Sequence, residues 1–121
     1  MSILSYRDLI VWQKAMDLIV LIYKITDEFP KDELYSLTSQ MRRSSISIPS
    51  NIAEGKMRGT QKDYRHFLHN AFGSGAELET QIEITKRLSY SSIEKLDKAE
   101  LLLGEIMKML NALIGKLQSN T

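Results

Sequence analysis

The chain has 121 residues, of which 43% are apolar and 26% charged, and its net charge is +1. This length predicts one domain, residues 1–121, and this composition excludes a disordered chain. Because the sequence contains no cysteine, disulfides, thiolate metal sites and cysteine nucleophiles are excluded, which fits a reducing cytosol.

The N-terminus has no basic segment followed by a long apolar run, as a signal peptide would have. The most apolar stretch, residues 18–23, is too short to span a bilayer. We therefore expect a cytoplasmic protein that makes no membrane contact.

The first predicted helix spans about residues 5–28. Ser5 and Asp8 occupy the positions of an N-terminal capping box, and Phe29-Pro30 ends the helix. Two neighbouring apolar stripes run along it at steps of three and four residues. One stripe is enough to dock a surface helix, so the second predicts apolar surface beyond what this helix needs for the core.

The second predicted helix spans residues 32–55 and contains Pro49. A proline inside a helix removes a backbone donor and crowds the carbonyl four residues earlier. Because the apolar spacing stays in phase across Pro49, we favour one helix that is kinked there and ends near Gly55. The alternative is a break at Pro49, with a new helix capped by Asn51.

The third predicted helix spans residues 60–88 and begins at Thr60, with Asp63 three residues later. Midway along it lies the run Gly-Ser-Gly-Ala, residues 73–76. Each glycine inside a helix costs roughly 1 kcal/mol relative to alanine. That cost is tolerable if another helix approaches closely at this point.

The fourth predicted helix spans residues 91–118, with Ser91 and Glu94 as its capping pair and an unbroken apolar heptad. Four helices of about 20 to 28 residues with short connections predict an all-α fold, an antiparallel up-and-down four-helix bundle. The first and fourth helices carry more apolar surface than the bundle interior holds. This surplus predicts a homo-oligomer, for which cyclic symmetry is the usual form.

Five segments form a pattern that covers nearly the whole chain: Tyr6-Arg7-Asp8-Leu9, Trp12-Gln13-Lys14-Ala15, Leu37-Thr38-Ser39-Gln40-Met41-Arg42-Arg43, Ser47-Ile48-Pro49-Ser50-Asn51-Ile52-Ala53-Glu54-Gly55 and Glu77-Leu78-Glu79-Thr80-Gln81. The pattern resembles the bacterial four-helix-bundle proteins first noticed as products of intervening sequences in large-subunit ribosomal RNA genes. Its most specific part is the run Ser-Ile-Pro-x-Asn-Ile-Ala-Glu-Gly.

This resemblance implies a four-helix bundle and a ring-like homo-oligomer, with a pentamer as the expected form. It also implies kinship with the accessory variability proteins of diversity-generating retroelements, which work beside a reverse transcriptase and bind nucleic acid. It brings no catalytic residues. Two features depart from that branch: the chain is nearly neutral, and Gly75 stands where a bulkier apolar residue is expected.

The middle of the chain carries a local excess of positive charge, because residues 40–70 hold six Lys or Arg against only Glu54 and Asp63. The candidate nucleic-acid-binding residues are Arg42, Arg43, Lys56, Arg58, Lys62, Arg65, His66 and His69. The last four share one face of the third helix, and long cationic side chains on such a face can grip phosphate oxygens. The alternative is a solvated face whose arginines pair with neighbouring acids.

Motifs for catalysis or metal binding are absent from the sequence. His66 and His69 have a spacing that suits a metal, but they lie among cations without a carboxylate motif. The serines of residues 44–50 belong to no nucleophile elbow, and the glutamates of the third helix form no Glu-x-x-His pair. We expect no enzyme, no cofactor and no metal.

Five residues are candidates for a structural or assembly role: Trp12, Pro49, Asn51, Glu54 and Gly55. Trp12 is expected to be a packing anchor. For the last three, one interpretation is a helix cap, a salt bridge and a helix stop. The other is that Glu54 pairs with an arginine such as Arg43, in its own or a neighbouring chain, and fixes the assembly geometry.

These patterns predict a non-enzymatic, homo-oligomeric helical bundle whose residues 42–69 contact RNA or DNA. The alternative is a protein-interaction scaffold with the same fold and no nucleic-acid role.

Overall fold

The computed structural model describes residues 5–118 and contains four α-helices: α1 (Ile10–Thr26), α2 (Ser39–Met57), α3 (Gln61–Leu88) and α4 (Ile93–Gln118). Within residues 5–118 there is no strand. The all-α fold with four helices is therefore confirmed. None of these helices is long and apolar enough to cross a membrane.

Side-chain contacts show in which direction neighbouring helices run relative to each other. In α2 and α3, Met41 contacts Thr85 and Ser47 contacts Ser74, so the two helices run antiparallel. Lys14 of α1 pairs with Glu105 of α4, and Glu28, just after the end of α1, pairs with Lys95 near the beginning of α4, so α1 and α4 also run antiparallel. Each helix packs on two neighbours, as in an up-and-down bundle.

Fully buried side chains from all four helices form the core, and each contributes roughly 1.5–3 kcal/mol on burial. The largest of them are Leu18, Ile22, Ile25, Met41, Ile48, Ile52, Leu68, Leu78, Ile82, Leu96, Leu103 and Ile106. At Gly75 the Met107 side chain of α4 packs over α3, since a Cβ there would overlap the Sδ of Met107. Gly73 has no atom within 4 Å of such a Cβ, so of the two glycines only Gly75 makes room for a neighbouring helix, and what it admits is a side chain.

The first helix begins later than predicted. Ser5 and Asp8 do form the capping box, with Ser5 Oγ accepting from Arg7 N at 3.1 Å and Asp8 Oδ2 from Ser5 N at 3.1 Å. They cap a separate 3₁₀ turn, Tyr6–Asp8, because Leu9 is extended and interrupts the helix before α1. The α-helix then ends at Thr26 and not at residue 28.

The second predicted helix, about residues 32–55, lies within a continuous helical segment, but only the later part of that segment is α-helix. Residues 31–38 form a 3₁₀ turn followed by one turn of π-helix, Leu34–Thr38, and the α-helix begins only at Ser39. It continues through Pro49 to Met57. The break at Pro49 with a cap at Asn51 is wrong, because Asn51 lies inside α2, where its Nδ2 donates to Ser47 O at 2.8 Å and to Ser47 Oγ at 2.9 Å.

The capping residue of α3 is confirmed and that of α4 is wrong. Thr60 Oγ1 accepts from Asp63 N at 3.1 Å. At α4, Ser92 takes the place predicted for Ser91, because Lys95 N donates to Ser92 Oγ at 3.3 Å. The Ser91 hydroxyl is buried and has no hydrogen-bond partner within the described residues.

Candidate nucleic-acid interface

Most of the predicted cationic side chains meet at the connection between α2 and α3. Gly59, with φ of +87°, supplies the left-handed backbone that turns the chain there. Because α2 and α3 run antiparallel, this turn brings the end of α2 beside the beginning of α3. We call the side chains gathered here the cationic turn; its members are Lys56, Arg58, Lys62, Arg65, His66 and His69.

Two aromatic rings of α3 pack against cationic side chains of the cationic turn. Lys56 Nζ lies 5.3 Å from the ring centroid of Tyr64, and Arg58 Cζ lies 4.9 Å from that of Phe67. Both rings are half-buried, and burial raises the pKa of Tyr64. Contacts of this kind hold a long cationic side chain over apolar surface while its charge faces outward.

Gly55 allows the two helices to approach beneath this turn. A Cβ on Gly55 would lie 2.7 Å from Phe67 Cβ and 3.3 Å from the Tyr64 carbonyl oxygen. The predicted helix stop at Gly55 is therefore wrong: α2 continues past it to Met57, and the glycine serves close helix packing.

Glu54 pairs within its own chain with a different arginine from the one named in the sequence prediction. Its Oε2 lies 2.9 Å from Arg58 Nη2, one helical turn away, and this hydrogen bond raises the pKa of Arg58. Arg43 instead meets Gln40 Oε1 at 3.5 Å. The intrachain pairing of Glu54 with Arg43 is therefore wrong, and Arg58 is the cation whose charge Glu54 offsets.

Arg42 and Arg43 lie apart from the cationic turn, near the beginning of α2. About 21 Å separates Arg42 from Lys56 at a helical rise of ~1.5 Å per residue. Arg42 Nε donates to Thr26 Oγ1 at 2.9 Å, and its Cζ lies 4.4 Å from the ring centroid of Tyr23. The eight predicted residues thus form two groups, not one continuous surface.

The exposed apolar surface predicted for the first helix is present and extends onto the second. We call it the α1–α2 apolar face; it comprises Trp12, Met16, Ile19 and Val20 of α1 with Ala53 of α2. Val20 is 55% exposed and Met16 is 40% exposed. Trp12 is half-buried, packs against the core and contacts Tyr6 edge to face at 5.4 Å. Buried Pro49 lines the same cleft as Trp12.

No group of three or more His, Cys, Asp or Glu residues within residues 5–118 is placed to hold a metal ion. His66 and His69 are both exposed on α3, and the His66 ring contacts Phe67 at 5.4 Å. The sequence prediction missed Tyr35, a residue that is 91% exposed on the π-turn before α2. The sequence offered one indication of this residue, an aromatic side chain in the segment Asp-Glu-Leu-Tyr-Ser that falls outside the apolar stripes.

The sequence matches one known protein family over most of its length. The family model described as 23S rRNA-intervening sequence protein matches residues 7–112. The chain belongs to the 23S rRNA-intervening sequence protein family. The resemblance found in the sequence is confirmed to that extent.

A solved structure has the same fold as this 23S rRNA-intervening sequence protein. It is a protein with unknown function from the S23 ribosomal protein family of Bacteroides thetaiotaomicron, 24% identical, with a TM-score of 0.80. The match covers 87% of this chain and 98% of the other. Comparison with curated proteins gave no match.

Proposed function

We propose that this 23S rRNA-intervening sequence protein is a non-enzymatic, cytoplasmic homo-oligomer that binds nucleic acid through its cationic turn. The observation that carries the proposal is the clustering of positive charge at one connection of an otherwise nearly neutral chain. Four Lys or Arg side chains meet there, against Glu54 and Asp63, whereas the whole chain has a net charge of only +1.

The chemistry of the cationic turn suits a phosphate backbone. Lys62, His66 and His69 are exposed on α3, and Lys56 and Arg58 extend over aromatic rings at the end of α2. Sequence-independent binding to nucleic acid is supplied by cations such as these Lys and Arg side chains, which displace counterions from phosphates. Glu54 pairs with Arg58, and the exposed Lys62 extends from the first turn of α3.

Self-association is the second part of the proposal, and the α1–α2 apolar face supports it. An apolar surface of this kind on a bundle usually marks an interface. Assembly into a ring, with a pentamer as the expected form, would repeat the cationic turn once per subunit. Repeated weak sites linked in one particle bind a polymer more tightly than one site does.

The test is a pair of variants with equal loss of charge. Lys56→Gln/Lys62→Gln removes two cations from the cationic turn, and Lys98→Gln/Lys108→Gln removes two exposed lysines from α4. Each lysine that contacts a phosphate contributes about one unit to the slope of log affinity against log salt. We expect the first variant to lower the slope per subunit by about two units and the control to leave it unchanged. An equal effect of both variants would contradict the assignment of the site.

The alternative function is a protein-interaction scaffold without a nucleic-acid role. The observation that favours it is the same α1–α2 apolar face, which a different protein would cover as well as a second copy. In that case neither lysine variant would change any binding activity, whereas Val20→Lys would abolish capture of the partner.

A further inference from the structure

The second group of predicted cations forms a concave site of its own at the beginning of α2. A cavity of about 470 Å³ opens there between α1, α2 and the π-turn; among the residues that line it are Tyr23, Leu34, Tyr35, Arg42, Arg43 and Ile46. This volume falls within the roughly 300–1,000 Å³ range of ligand pockets. We call this site the Arg42 corner.

Arg42 is held in place but lacks a counter-ion. Its guanidinium donates to Thr26 Oγ1 at 2.9 Å and lies over the Tyr23 ring at 4.4 Å. Within residues 5–118 no carboxylate lies within ion-pair distance of Arg42. A half-buried guanidinium without an acidic partner offers its remaining donors to an anion, and arginine favours planar oxyanions such as phosphate.

The charged residues that line the Arg42 corner are both cations, Arg42 and Arg43. Arg42 also lines two adjoining concave surfaces, whose other charged residues are Lys24, Lys31 and Asp27. This balance is complementary to an anionic ligand and disfavours a basic or neutral one.

Tyr35 adds an exposed aromatic ring on an anchored support. It lies on the π-turn Leu34–Thr38, and single turns of π-helix are frequent at functional sites. The turn is fixed by Glu33, which accepts hydrogen bonds from Ser36 Oγ and from Tyr90 OH, the latter at 2.7 Å. Because the residue is 91% exposed, Tyr35 contributes little to the core and leaves a ring face for a ligand.

We propose that the Arg42 corner binds an unpaired base of single-stranded nucleic acid, with the base stacked on Tyr35 and the adjoining phosphate held by Arg42 and Arg43. This inference rests on the proposed function and adds a preference for single strands. Cations beside exposed aromatic rings are the combination that single-strand-binding proteins use. A duplex keeps its bases stacked inside and offers none to Tyr35.

The experiment compares Tyr35→Ala, Tyr35→Trp and wild type in binding a short single-stranded RNA, the same strand with abasic sites, and the matching duplex. Loss of one stacked base weakens binding by roughly 5- to 160-fold. We expect that loss for Tyr35→Ala with the intact single strand alone. Tyr35→Trp, which keeps an aromatic ring, should retain wild-type affinity. The abasic strand should bind wild type and Tyr35→Ala with equal affinity. Since Tyr35 is exposed, the variants are expected to fold.

Three outcomes would overturn the inference, and they are distinguishable from one another. If Tyr35→Ala lowered the affinity for single strand and duplex equally, the ring would stabilise the structure of the site and would not stack on a base. Unchanged RNA affinity together with a lower sedimentation coefficient would assign the Arg42 corner to a protein contact. Absence of binding to any nucleic acid by wild type would remove the proposed function and this inference together, whereas the first two outcomes leave the cationic turn standing.

Discussion

Substitution of Gly55 by alanine tests whether close packing of α2 on α3 is what this residue provides. An added Cβ would lie 2.7 Å from Phe67 Cβ, 3.2 Å from Tyr64 Cδ1 and 3.3 Å from the Tyr64 carbonyl oxygen. One of these neighbours is backbone, so α3 itself must shift. Overpacking of this kind typically costs about 1–3 kcal/mol. The alanine regains roughly 1 kcal/mol of helix propensity, so we expect a net destabilisation of up to about 2 kcal/mol.

Gly73→Ala is the matched control, because it adds the same methyl group to α3 where no atom lies within 4 Å. There only the propensity gain remains, so this variant should be more stable than wild type by up to about 1 kcal/mol. The assay is urea unfolding at fixed protein concentration, since assembly makes stability depend on concentration. If Gly55→Ala stabilised the protein as much as Gly73→Ala, the argument for close packing at Gly55 would be refuted.

Two further predictions concern the turn before α2 and the α1–α2 apolar face. Hydrogen bonds from Ser36 and Tyr90 lower the pKa of Glu33 below its ordinary 4.5; the stabilisation they give is therefore present above pH 4.5 and is lost as pH falls through the lowered pKa. Tyr90→Phe should have a lower urea midpoint than wild type at pH 7, and the difference should shrink as pH falls below 4.5; a difference independent of pH would contradict this role. Val20→Lys and Met16→Lys should each reduce the sedimentation coefficient to that of the monomer, because a lysine ammonium is costly to bury in an apolar interface. Thr80→Lys, at an exposed position of α3, is the control, and unchanged assembly in all three variants would place the interface elsewhere.

The parts of the fold that the sequence predicted correctly depend on neighbouring residues. Thr60 caps α3 because its partner, Asp63 N, is three residues away, and the apolar stripes identify buried faces from spacing alone. Ser91 fitted the capping pattern with Glu94, yet Ser92 makes the cap. Here the path of the α3–α4 loop decides, and Tyr90 ties that loop to Glu33 far away in sequence. A local pattern carries no information on such a contact.

The candidate site shows the same division between local and distant effects. Residues 40–70 form one basic segment in sequence, but α2 carries Arg42 about 21 Å away from Lys56 at ~1.5 Å per residue. Gly55 followed by a cationic segment looked like a helix end, and only the position of Phe67 on α3 reveals why a glycine is needed. Tyr35 carried no periodic signal at all. Its exposure depends on the π-turn, which the sequence pattern did not predict.

The most direct test of the account is binding of the wild-type protein to labelled mixed-sequence RNA and duplex DNA across a salt series. If the cationic turn is a nucleic-acid site, affinity should fall steeply with salt, with a slope that reflects several phosphate contacts. No binding to either ligand even at about 50 mM salt, where phosphate contacts are strongest, would contradict the account. The α1–α2 apolar face would then identify the protein as an interaction scaffold.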